Sequence, residues 1–133
     1  GLGAIPTEAH KTRDLLAVFE SQDQVLALTP DFAQLAQVEA LVVIATAPGD
    51  DCDFVSRCFA PSCGIDEDPV TGSAHCSLTP YWAQRLGKVT MQARQISARG
   101  GELSVELRDD RVLISGQAQL YLRGSIRVSE DGE

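Results

Sequence analysis

Positive charge is scarce in this 133-residue sequence: 11 lysines and arginines stand against 19 aspartates and glutamates, a formal net charge of −8. Wrapping a phosphate backbone takes a basic footprint, so the balance argues against nucleic-acid binding, and an anionic small molecule would need a local positive site. Long apolar runs are lacking too. The longest, "ALVVIATA" at 40–47, falls well short of the roughly 18 residues of a membrane span. Without a basic-then-apolar opening, the chain is expected to be soluble and cytoplasmic, with no membrane partner. Its four cysteines, Cys52, Cys58, Cys63 and Cys76, fit neither paired zinc spacing nor a dense disulfide framework. They are expected to be free thiols, and no metal is expected.

What is present is enough for a core. A chain of this length with 44% hydrophobic residues makes one ordinary domain, over 1–133, or half of a two-domain protein. The opening "GLGAIPTEAHKT" shows no periodicity. "DLLAVFES" and "QVLALTP" read as two short strands around a polar turn, and "DFAQLAQV" spaces Phe32, Leu35 and Ala36 as a short helix does. "ALVVIATAP" is too apolar for an exposed strand and reads as a central one, and "DFVSRCFAP" has strand composition up to Pro61. "KVTMQARQIS", "ELSVELR", "RVLISG" and "AQLYLRGSIRV" alternate polar with apolar residues and read as a four-strand antiparallel meander.

Between the strand groups lies the one long helical segment, Thr71 to Leu86, closed by Gly87. Its residues are apolar nearly all round, which predicts burial. Pro80 within it predicts a kink, in preference to a second helix capped by Thr79. The fold class is therefore α+β: about seven or eight strands in a curved, mostly antiparallel sheet or open barrel, wrapped around one central buried helix.

The chemistry concentrates in "GIDEDPVTGSAHC", residues 64–76, which holds three acids and no lysine or arginine. Pro69 pushes Asp68 out of helical conformation. Asp68 or Thr71 could cap the helix that follows. Thr71 is preferred, because the other choice buries Gly72 in the opening turns at a cost of about 1 kcal/mol. Asp68 then stands on a short loop ahead of the helix, and the amides of Gly72, Ser73 and Ala74 with the hydroxyls of Thr71 and Ser73 form a donor cluster. Such a cluster binds a carboxylate without a lysine. If burial and its neighbours Asp66 and Glu67 favour its protonated form, Asp68 becomes a proton donor or acceptor. An acidic loop with an ordinary cap is the competing reading. His75 is expected to be a satisfied core histidine, and Arg57 and Arg99 to be either ion-paired residues or ligand clamps.

"RCFAPSCGIDEDPVTGSAHCSLTPYWAQRLGK" (57–88), with "RQISARGGELSVELRDDRVLISGQAQLYLRG" (94–124), closely resembles the carboxy-terminal half of the PhzF-like family of phenazine-biosynthesis isomerases. "RDLLAVFES" and "LTPDFAQL" are similar to that half too. The resemblance implies a fold like that of diaminopimelate epimerase, with two related domains and an active site in the cleft between them. It makes Asp68 the catalytic acid of this half, Gly72 and Ser73 the contacts to a small-molecule carboxylate, and Thr71 a supporting hydroxyl among the substrate-binding residues. It also implies proton transfer without a cofactor, as in the isomerisation of a dihydro-hydroxyanthranilate, with a glutamate supplied by an amino-terminal domain that is the partner of this one. These 133 residues alone are then expected to be inactive, and to self-associate as a homodimer over the face that domain would cover.

Overall fold

The computed structural model describes residues 1–127. Eight strands join in one sheet: β1 (Glu8–Lys11), β2 (Leu15–Val18), β3 (Val43–Pro48), β4 (Phe54–Ala60), β5 (Ile65–Asp68), β6 (Thr90–Gln95), β7 (Gly101–Arg108) and β8 (Arg111–Ser115). Their order is β1-β2-β3-β4-β6-β7-β8, with β5 pairing on β4. Only β2 with β3 and β4 with β6 run parallel; every other pairing is antiparallel. The expected strand number and sense are therefore met.

Helix α3 (Gly72–Leu86) crosses one face of the sheet. Ala74, Leu78, Trp82 and Ala83 pack on Ile44, Phe54, Cys58, Met91 and Val105, residues that alternation turns to that side of their strands. Trp82 stacks on Phe54 at 5.7 Å between ring centres, and its indole N–H donates to Thr46 Oγ1 at 3.0 Å. Gly87, at φ 66°, closes the helix in left-handed conformation and returns its N–H to the Ala83 carbonyl. The helix runs on through Pro80.

All-round burial of α3 is corrected, however: Ser73, Cys76, Pro80 and Gln84 are exposed, so the helix covers the sheet with one face and does not sit enclosed by it. The other sheet face carries a second core, in which Val25, Leu28 and Leu35 cover Ala17, Val43, Ala45, Val55 and Phe59. It is built by two short helices, α1 (Gln22–Leu26) and α2 (Phe32–Leu35). Helix α2 was expected. Helix α1 replaces the strand expected over "QVLALTP": Ser21 Oγ accepts from Gln24 N–H at 3.3 Å, and Gln24 Oε1 accepts in return from Glu20 N–H at 3.0 Å. That exchange is close to a capping box, and it starts a helix that side-chain alternation alone does not reveal.

Two strands were missed. β1 pairs antiparallel on β2 through residues of no apolar alternation, and β5 pairs on β4, with Cys58 opposite Asp68. Asp68 is thus the last residue of a strand, not part of a loop. The turn Pro61–Cys63 and Gly64, at φ 78°, fold the chain back onto β4 there. The fourth meander strand, expected over "AQLYLRGSIRV", is not formed: β8 ends at Ser115, and 118–127 take no regular structure and join no sheet pairing among the described residues. Val128, its last residue, lies outside the described residues.

Candidate active site

The sequence places Pro69 so that the chain must stay extended at Asp68 and turn before the helix. In the structure Asp68 closes β5, Thr71 is the N-cap of α3 with φ −110° and ψ 96°, and Gly72 and Ser73 open the helix on the exposed surface. All four expected site residues therefore lie within one turn of chain, with the half-buried Asp68 carboxylate at the helix mouth.

Thr71 carries out a different task from an ordinary cap. Its hydroxyl makes no bond to the first-turn amides and donates instead to Asp68 Oδ2 at 2.5 Å. Being only 8% exposed and so engaged, it supports Asp68 and does not face outward. The amides of the helix start are left uncapped by that side chain, where the helix dipole favours an anion. Beyond its chain neighbours and the first turn of its own helix, nothing lies within 4 Å of where a Cβ at Gly72 would stand, so the surface beside the helix start is open.

Sequence reading missed the residue that organises the turn. Gln95, at the end of β6 and fully buried, accepts from Thr71 N–H at 2.7 Å and donates through Nε2 to the Asp68 carbonyl at 2.6 Å and to Thr71 Oγ1 at 3.1 Å. Ser97 Oγ adds a bond to the Pro69 carbonyl at 2.8 Å and accepts from Gly100 N–H at 3.1 Å. Gly101, beyond it, is required: a Cβ there would collide with the Val70 side chain. Only the position of Gln95 at the end of a strand and its polarity hinted at such a role.

The neighbouring groups sort themselves by environment. Glu67 points to the opposite sheet face, where its carboxylate meets Arg57 Nε and a terminal guanidinium nitrogen at 2.8 and 2.9 Å; Arg57 also donates to the carbonyls of Val25, Leu26 and Leu28. Arg57 is thus an ion-paired strut, and Glu67 is committed to it. Arg99 is exposed and borders a groove of about 600 Å³ with Val70, Gly101, Leu103, Ile114 and Gln117. His75 is buried in the core as expected, but it is only half satisfied, because its buried Nε2 has no hydrogen-bond partner among the described residues. Its Nδ1 donates to the Thr71 carbonyl at 2.8 Å, and burial holds its imidazole below the ordinary 6.5. All four cysteines are free, and burial pushes the Cys58 thiol, beneath Asp68, up to about 12, which keeps it protonated and inert. Among the described residues no group of three His, Cys, Asp or Glu side chains is arranged to hold a metal, and no helix is long and apolar enough to cross a membrane.

Comparison with known proteins places this geometry. The model of the phenazine biosynthesis-like protein family, PhzC-PhzF, matches residues 2–124. An uncharacterized isomerase of Pseudomonas aeruginosa is 55% identical over 129 residues, 96% of this chain and 49% of the relative; one of Halalkalibacterium halodurans is 42% identical over 129 residues, 95% and 49%. A crystal structure of a PhzF-family phenazine biosynthesis protein from Enterococcus faecalis superposes with a TM-score of 0.87 at 47% identity, covering 91% of this chain and 47% of that one. The chain spans about half the length of the curated relatives it matches. With the family model and these relatives covering nearly all of its residues, the chain belongs to the PhzC-PhzF phenazine biosynthesis-like family.

Proposed function

We propose that this chain is the carboxy-terminal half of a cofactor-independent isomerase that moves a proton on a small carboxylate substrate. The observation that carries the reading is the 2.5 Å bond from Thr71 Oγ1 to Asp68 Oδ2, which turns the cap hydroxyl to the acid and away from the helix amides. The Gly72 and Ser73 amides then hold the substrate carboxylate, and Asp68 serves as proton carrier beside it. A carbon–hydrogen bond of the substrate breaks, its electron pair stays on the substrate as an enolate, and the proton passes to a carboxylate oxygen before return at another carbon. The names of the relatives as isomerases support the reaction class, and the half-length match supports an amino-terminal partner domain closing the cleft, as in diaminopimelate epimerase. A cytoplasmic enzyme inactive without that domain fits the same picture.

The test is Asp68→Ala in the full-length protein, followed by deuterium uptake from solvent into dihydro-hydroxyanthranilate. Loss of uptake of about 100-fold or more is expected for a general acid–base. Undiminished uptake overturns the role. A second reading, a module that only binds a carboxylate or docks a partner domain, draws on the open space over Gly72. It predicts that Asp68→Ala keeps affinity for that acid and that no variant, nor the parent, turns it over.

A further inference from the structure

The Gln95 amide has only one workable orientation. The Thr71 backbone N–H can only donate and the Asp68 carbonyl can only accept, so Oε1 must face the first and Nε2 the second, as they do at 2.7 and 2.6 Å. The remaining Nε2 hydrogen then points at Thr71 Oγ1, 3.1 Å away. A hydroxyl that accepts there has its own hydrogen left to give, and its other partner is Asp68 Oδ2. Two fixed backbone groups therefore set the direction of the Gln95 bonds, and the hydroxyl, one lone pair engaged by Nε2, turns its hydrogen to the Asp68 carboxylate.

The consequence falls on Asp68. A proton on Oδ2 would confront the Thr71 hydroxyl hydrogen, and relieving that clash would mean turning this hydrogen away so that the second lone pair accepts in its place, with loss of the bond that the hydroxyl donates to Asp68. Oδ1 has no hydrogen-bond partner among the described residues. We propose that Gln95 is a positioning residue which, by holding the Thr71 hydroxyl as a donor, reserves Oδ1 of Asp68 for the transferred proton. This rests on the proton-transfer reading of Asp68.

The experiment uses the full-length protein with Gln95→Glu, Gln95→Met, Thr71→Val and Thr71→Ser, and two readouts. The first is deuterium uptake into dihydro-hydroxyanthranilate; the second is the proton NMR resonance of the Thr71 hydroxyl, which a short buried bond protects from exchange and which needs no substrate. Gln95→Glu keeps the size and the acceptor but loses the Nε2 hydrogens. It is expected to lower kcat about 100-fold, the scale of a misaligned reacting group, with KM nearly unchanged. Thr71→Val should match it, Thr71→Ser should restore kcat, and Gln95→Glu with Thr71→Val should be no worse than either alone. The hydroxyl resonance should persist in Thr71→Ser and vanish in both Gln95 variants.

Retention of kcat in Gln95→Glu, a rise in KM alone, or an unchanged resonance in that variant overturns the proposal. If Gln95 variants do not fold, the contrast between Thr71→Val and Thr71→Ser still decides, equal kcat in the two overturning it. Uptake lost in Asp68→Ala but kept in Gln95→Glu defeats the positioning role only; uptake kept in Asp68→Ala defeats the reading beneath it.

Discussion

His75 is fully buried in a core that favours its neutral form, so its proton affinity differs between folded and unfolded chains. Below about pH 6.5 the unfolded chain takes up a proton at this position that the folded chain resists, so stability must fall as pH drops below that value. Urea midpoints measured from pH 7.5 to 5 should decline, and His75→Phe should flatten the decline even if it lowers the plateau. A slope unchanged in His75→Phe would assign the pH dependence elsewhere. At this scale the site was partly legible. Pro69 and Gly72 restrict the backbone locally, which is why Asp68, Thr71, Gly72 and Ser73 could be singled out together. Gln95 could not, because it reaches Thr71 across 24 positions of chain through a strand pairing that no local pattern encodes.

Helix α3 carries the largest local conflict in the chain. Pro80 lacks the N–H that would bond the Cys76 carbonyl, yet both residues are exposed, so water can serve that carbonyl and the helix continues. Pro80→Ala restores the bond and relieves the ring clash, a gain of up to about 3 kcal/mol, against roughly 1 kcal/mol lost because alanine frees the unfolded chain. A net stabilisation of about 2 kcal/mol is expected in denaturant titration, and a destabilised variant would show that the proline is needed where it stands. Elements with strong patterns were legible: α3, β3 and the hairpins of β6, β7 and β8 follow from glycine stops and alternation. β1 and β5 were not, since "EAHK" and "IDED" have no apolar face and owe their strand form to the edges they pair with. α1 was misread because a cap, Ser21 with Gln24, outweighed the composition of the residues after it.

For the whole molecule, the telling residues are the large apolar ones left exposed among the described residues. Leu120, Tyr121, Leu122 and Ile126 are 73 to 98% exposed, in a segment with the alternation of a strand and no strand beside it. Unpaired backbone and apolar side chains of this kind are what a protein normally buries against something else. The relatives are about twice as long, and the proposed amino-terminal half is the cover that the proposed function assigns to this surface. For the isolated 133-residue chain, burial of this surface against a second copy is the expectation to test. Sedimentation velocity should then show its average mass rising with concentration, and Leu120→Ser combined with Leu122→Ser should return it toward the monomer. In the full-length protein the same pair should loosen the two halves, read as faster amide hydrogen exchange in β7 and β8, without creating new association. A strictly monomeric isolated chain at every concentration would show that this segment is not an interface.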